Sequence, residues 1–404
     1  MDTEVAEISV PDITEFMKIT TDDLASENLN TTADAIWRKV VTSAKDHVGS
    51  NTWKGLDQAQ VKRRVYRVRE KLTCADVFRA IEHPSISVVQ ETGKFFIQFN
   101  VSFPSAKDPE NFDRILVLGN SLLLPILYTK PDIFLDGTFR CVPSQFHQCF
   151  IVMAFDRATN SYVPVLYILM TGKTQEMYWM ALDYVIILSK WTLEPDWVTC
   201  DFELAISNAA KHQFPDGDQN GCFFHWKDGN GRYMKGCKIE KEQISYAMKP
   251  GVLDILTIIP KNEIPKKGIA YVKFLIDSQF PDMTVSDREK WAEYWKYFEN
   301  FWCHSRFINM YNINSETRDK RDLRNRTNNA LERYNRHLNY IFPTPHPNLP
   351  AFVTTLKAES TRIVTKLENI RHGRVPWPTY EPLNLPEVPT DYYEYNENAH
   401  TTAV

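Results

Sequence analysis

The chain has 404 residues, 43% hydrophobic and 13% aromatic, with a formal net charge of -4. That length exceeds what one hydrophobic core usually serves, and the composition excludes a collagen-like, wholly disordered or disulfide-framework protein. Its mild acidity means that any nucleic-acid contact must rest on local basic patches.

Seven cysteines, an odd number spread from Cys74 to Cys303, fit a reducing compartment. The opening Met1-Asp2-Thr3-Glu4 is acidic where a signal peptide would be basic, and no apolar run approaches membrane-spanning length. An intracellular protein without membrane partners is expected.

Residues 1–52 read as an acidic, partly disordered lead-in with a helical pattern around Ile36, Trp37, Val40 and Val41. Residues 53–112 hold a basic helix and a β-hairpin. In the helix, Val61, Val65, Val68 and Leu72 form one apolar face, and Lys62, Arg63, Arg64, Arg67 and Arg69 cover the rest. A solvated surface helix and a phosphate-contacting helix are both consistent with that charge density. The hairpin pairs Ser87-Val88-Val89 with the alternating Phe95, Ile97, Phe99, Val101 and Phe103 across Glu91-Thr92-Gly93-Lys94.

Residues 113–230 read as the first part of an α/β core. Strands are predicted over 114–119, 133–141, 146–155 and 162–170, a short helix over 121–128, a long helix over 175–190 and a further strand over 197–201. Three meandering strands, then a helix and a strand ending in a carboxylate, are the order expected of a ribonuclease H-like mixed sheet. Residues 231–325 form an all-α insertion, in which Trp291, Trp295, Phe298 and Trp302 fall on one helical side. Core packing is the first use for that stripe, and stacking on an extruded base the second. Residues 326–373 complete the core with a helix carrying Glu332 and a last helix from His346-Pro347-Asn348-Leu349 to Gly373. Residues 374–404 are an acidic, proline-rich tail expected to be disordered.

Three carboxylates stand out. Asp136 interrupts the apolar run Ile133-Phe134-Leu135, Asp201 closes the fourth core strand, and Glu332 opens a late helix. Each has a simpler reading: an Asp-Gly turn, a helix cap, and a helix-dipole charge paired with Arg336. Taken together in order, they suit a metal cage, because a buried carboxylate is costly unless cations or hydrogen bonds compensate it. Glu203 is the rival of Asp201, two positions on.

The motifs Asp136-Gly137-Thr138-Phe139, Val163-Pro164-Val165-Leu166-Tyr167-Ile168-Leu169-Met170 with Lys173, Asp201-Phe202-Glu203, Cys222-Phe223-Phe224-His225 and Asn328-Asn329-Ala330-Leu331-Glu332 resemble the catalytic domain of Mutator-like element (MULE) transposases, over residues 114–367. The resemblance implies the DDE group and its ribonuclease H-like fold. It also implies a DNA transposase with Asp136, Asp201 and Glu332 as catalytic residues and ligands of two Mg²⁺ (or Mn²⁺) ions. Its partners would be terminal inverted repeats and target DNA, its assembly a homodimer or larger, and its location the nucleus. The long interval between Asp201 and Glu332 fits the insertion this family carries.

Candidate DNA contacts are Lys62, Arg63, Arg64 and Arg67, and around Glu332 a second patch of Arg318, Lys320, Arg321, Arg324, Arg326, Arg333 and Arg336. Cys222 and His225 supply half of a tetrahedral zinc site; Cys237 and His212 are the remaining candidates, but neither has matching spacing, so packing is the expected role. Many members of the family carry an upstream zinc finger, whereas the first histidine here is His47 and the first cysteine Cys74. A domesticated or truncated DNA-binding or regulatory protein without catalysis is therefore the alternative, and a simple ribonuclease H-like nuclease a third.

Overall fold

The computed structural model describes residues 10–27, 29, 31–49, 52–73, 76–106, 108–314, 329–380 and 387–395. The chain opens with three helices, α1 (Thr14–Glu27), α2 (Ala33–Val48) and α3 (Gln58–Thr73). Thr32 caps α2 by accepting from the Ala35 amide, and Gly49 ends it at φ 68. Met17, Thr21 and Ala25 of α1, Ile36, Val40 and Ala44 of α2, and Val61 and Val65 of α3 are buried at i, i+4 spacing and meet in one small core. The expected boundary at residue 52 therefore falls inside a packed three-helix unit. The acidic residues of the lead-in read as solvated because their partners lie on another helix: Asp22 takes Arg64 and Asp34 takes Lys62.

Two short helices follow, α4 (Val77–Glu82) and α5 (Pro84–Ser87), then β1 (Val88–Val89) and β2 (Lys94–Phe95). The predicted hairpin is real but ends at Phe95. Phe96 turns into the core, and β3 (Ile97–Pro104) pairs instead with β4 (Phe112–Leu118). The boundary expected at 112 thus cuts a hairpin whose strands belong to the main sheet.

That sheet has seven strands, completed by β5 (Ile133–Thr138), β6 (Gln148–Asp156), β7 (Ser161–Met170), β8 (Trp197–Cys200) and β9 (Asp218–Gly221), in the order β3-β4-β7-β6-β5-β8-β9. Neighbours from β3 to β5 are antiparallel, whereas β8 runs parallel to β5 and β9 parallel to β8. β6 is buried at every position because both faces are covered, which is why it reads as a continuous apolar run.

Alternation sorts the two faces. Ile115 and Val117, Phe150 and Val152, and Ile133 and Leu135 join the larger core with α6 (Gln175–Leu188) and α7 (Leu204–Gln213). Leu116 and Leu118, Cys149 and Ile151, and Phe134 face the other side. There α4 and α5 pack with two late helices, Asn329–Ile341 and Leu349–Arg371.

After β9 come α8 (Phe223–Gly236), α9 (Lys241–Ala247), α10 (Ile269–Gln279), α11 (Val285–Tyr297) and α12 (Ser305–Tyr311), with short 3₁₀ and π turns between them. Trp226, Trp291, Trp295 and Trp302 are all nearly inaccessible and join the sheet's larger core, so the helical segment has no separate centre. Base stacking by this tryptophan stripe is overturned: the rings meet one another and Tyr294, whose hydroxyl donates to Asn230. The two late helices are α13 (Asn329–Ile341) and α14 (Leu349–Arg371), the latter capped by Asn348 and followed by Gly373 at φ 69. A final turn, α15 (Thr390–Glu394), corrects the expectation of a wholly disordered tail. Tyr392 is 1% exposed, packs on Tyr271 and donates its hydroxyl to Glu263. Aromatic anchors, not apolar periodicity, dock this segment, and an acidic composition conceals them.

Candidate functional site

The parallel strands set the site. In β5 and β8, Phe134 lies opposite Thr199, so two residues further on Asp136 comes level with Asp201. In β8 and β9, Cys200 lies opposite Gly221, so the next pair along is Asp201 and Cys222. Neighbouring strands lie about 4.8 Å apart, so three chemically active side chains leave adjacent strands at one height.

Asp136 takes the position in β5 that alternation assigns to the α13 face, beside Phe134. It is 8% exposed. Oδ1 accepts from the Gly137 amide at 2.8 Å, and Oδ2 accepts from Asn335 Nδ2 of α13 at 2.9 Å. Burial pushes its pKa up from 3.8 to about 6; nearby His225 opposes the rise, while the charges of Asp201 and Glu332 add to it. The three carboxylates singled out in the sequence therefore share one electrostatic neighbourhood. Gly137 is not a turn residue. The strand continues through it, and a Cβ there would stand 2.7 Å from Oε1 of buried Gln148, displacing the amide that accepts from the Tyr178 hydroxyl.

Asp201 is half-buried just beyond β8. Its Oδ1 accepts from the Glu203 amide, and Glu203 occupies the cap position of α7. This local bond holds the carboxylate at the strand end. Glu203 stands beside it, 3.8 Å from Lys173, with its pKa raised chiefly by burial and held back by Lys173. Both acids of the Asp201-Phe202-Glu203 motif thus border the cluster, and Phe202 between them fills the space over Gly221, where a Cβ would collide with its ring.

Glu332 lies in the first turn of α13, and its Oε1 accepts the Cys222 thiol at 3.2 Å. Cys222 occupies the N-terminal cap position of α8 without a side-chain capping bond, and His225 sits in that helix's first turn. One ligand atom from each of Cys222, His225 and Glu332 lies within 4.8 Å of the others. The further zinc candidates lie elsewhere: Cys237 is at the opposite end of α8, and His212 Nδ1 takes the Trp179 indole N–H. The third member of the Cys-x-x-His cluster is instead Glu332, brought in by tertiary packing.

Sequence reasoning missed Asn335. The signal was present, because positions three apart on a helix share a face and Asn335 follows Glu332 by that interval. It missed also that Cys222 bonds Glu332.

The basic residues divide. Lys62 and Arg64 are spent within the three-helix unit, Arg64 through a two-pronged contact with Asp22, whereas Arg63 and Arg67 are exposed. Arg333 and Arg336 are exposed on α13. Arg318, Lys320, Arg321, Arg324 and Arg326 lie outside the described residues.

A mixed sheet covered by helices, with carboxylates gathered at the C-terminal ends of its parallel strands, defines the chain as an α/β protein. Comparison with known families finds that residues 133–228 match the model of the MULE transposase domain, the family the motifs resemble. The matched span contains Asp136, Asp201, Cys222 and His225; Glu332 and Asn335 lie beyond it. No curated protein matches the chain. Among the described residues no helix is long and apolar enough to cross a membrane.

Proposed function

We propose that this protein is a DDE-type DNA transposase that cleaves at the ends of a transposon and joins them to target DNA, with Asp136, Asp201 and Glu332 as its catalytic carboxylates. The observation that carries this reading is the crowding of three acids around buried Asp136, whose pKa rises to about 6 partly because the other two are near. Such crowding is unfavourable for the protein alone and favourable for a bound divalent cation. The strand order β7-β6-β5-β8-β9, antiparallel through β5 and parallel after it, supports a ribonuclease H-like reading of the fold.

The oxygen donors fit hard cations. Asp136, Asp201 and Glu332 would together hold two Mg²⁺ or Mn²⁺ ions. When bound, such ions supply Lewis-acid charge to the attacking and leaving oxygens of an in-line phosphoryl transfer. The chain's own groups do the rest. Asn335 fixes Asp136 from α13, the Glu203 amide fixes Asp201, and the Cys222 thiol orients Glu332. Arg333 and Arg336, exposed on the same helix as Glu332, are suited to contact DNA phosphates beside the cleft, and Arg63 and Arg67 to contact them further away. The proposed reaction is hydrolysis that frees a 3′-hydroxyl at the element end, followed by attack of that hydroxyl on a target phosphodiester. The partners are terminal inverted repeats and target DNA, the acting form a homodimer or larger assembly, and the location the nucleus.

The test is a cleavage and joining assay in Mg²⁺ or Mn²⁺ with matched inverted-repeat ends. Wild type should cut and join, while Asp136→Ala and Glu332→Ala should do neither. Activity retained in either variant rejects the site; a folded, DNA-binding but inert wild type points to a domesticated protein.

A further inference from the structure

Cys222 and His225 bring a thiol and an imidazole to the edge of a cluster whose proposed chemistry needs only oxygen. Their spacing over the first turn of α8 puts both on one side of that helix, and α13 delivers Glu332 against them. The three donor atoms lie within 4.8 Å of one another, and the thiol already touches Glu332 Oε1 at 3.2 Å. The imidazole also has spare capacity: its Nδ1 is buried and finds no hydrogen-bond partner among the described residues.

We propose that Cys222, His225 and Glu332 form a soft divalent-metal site that takes a zinc-class ion. Sulfur and imidazole nitrogen favour zinc over magnesium, and three protein ligands with one open position are a common zinc arrangement. Charge balances as well. Binding releases the Cys222 proton, so that thiolate and Glu332 carboxylate neutralise the dication while the imidazole binds uncharged.

The site shares Glu332 with the proposed oxygen cage and rests on that reading in this one respect. An ion seated on Cys222 and His225 draws on the same Glu332 carboxylate, so zinc competes with magnesium for it.

The experiment titrates the purified full chain with Co²⁺ in the absence of DNA and follows the thiolate-to-cobalt charge-transfer band. One equivalent should produce the band and Zn²⁺ should remove it. Cys222→Ser should abolish it, His225→Asn should weaken Co²⁺ binding, and Cys303→Ser, at a cysteine distant in the sequence, should leave it intact. Circular dichroism checks that each variant is folded, and His225→Asn serves if Cys222→Ser is not. No band in wild type, a band that survives Cys222→Ser, or Co²⁺ affinity left unchanged by His225→Asn overturns the proposal. Because no DNA is present, the outcome stands whether or not the protein cleaves its substrate. Mg²⁺-supported cleavage without a Co²⁺ band would sink the zinc site and leave the transposase reading standing.

Discussion

Asp136 occupies a position that the alternation of β5 would otherwise give to an apolar side chain, and its physical chemistry follows from that displacement. Its carboxyl titrates near 6 in the folded protein against an ordinary value of 3.8. The folded state therefore holds this proton more tightly than the unfolded state does. The associated stability is fully present below about pH 4 and is lost as pH rises through about 6. Asp136→Asn removes the titration. In chelator, its melting temperature should match wild type near pH 4, exceed it increasingly as pH rises from about 4 to about 6 and hold a constant lead above that, with the gain cancelled by saturating Mg²⁺; a pH-independent difference across this range would contradict this. The amide can be accommodated, since Asn335 can turn its Oδ1, at present buried and unpartnered, toward the new N–H. Asn335→Ala should act in the opposite sense, leaving Asp136 Oδ2 without its donor at a cost of about 1–3 kcal/mol in the metal-free protein. Chemical denaturation would measure that cost, and DNA cleavage should fall with it.

The helix α13 is the element on which the site turns, because it carries Glu332 and Asn335 on the side that meets β5. It is clamped from behind by Tyr167 of the β7 motif and by groups that no motif contains. Tyr334 shares a hydroxyl–hydroxyl bond with Tyr167 of β7, and His337 meets Glu359 of α14, which also takes the guanidinium of Arg362. Glu359 is 6% exposed, while its partners keep contact with solvent, Arg362 at 60% and His337 at 36% side-chain exposure. Glu359→Ala should lower unfolding free energy by about 1.5–3 kcal/mol, measured by denaturant titration, through loss of charge-assisted hydrogen bonds. The helix α3 divides its charges in the same structural way. Arg63→Ala or Arg67→Ala should each reduce the salt dependence of DNA affinity by about one counterion. Arg64→Ala should leave that slope unchanged and loosen α1 from α3, readable as a lower melting temperature. The basic face was plain in the sequence; which cations were already engaged was not, since Asp22 and Asp34 lie on other helices.

At the scale of the molecule, the helical segment and the sheet share one core, and the C-terminal segment is tied to that segment by Tyr392. Tyr392→Ala removes a fully buried ring and a hydroxyl bond to Glu263, and should cost about 3 kcal/mol. Limited proteolysis should then cut after residue 373 well before the wild type is touched there. Much of this architecture was legible. The three-strand meander, the helix between β7 and β8, the long α14 and the helical character of the insertion follow from periodicity, because apolar spacing is a local property. The bounds of the N-terminal unit were not. There, packing between α1, α2 and α3 decides what is ordered, and an acidic composition gives no sign of it.

The sequence by itself determined the elements, the acidic trio and the motif order, since each depends on residues close together along the chain or on a pattern that a single strand or helix displays. Only the tertiary structure decided the company those residues keep. Parallel register levels Asp136 with Asp201 and Cys222, and the return of α13 brings Asn335 to Asp136 and Glu332 to the Cys222–His225 pair. The reason is physical: register and helix docking are set by the burial of whole faces, and that sum is not carried by any local stretch of the chain.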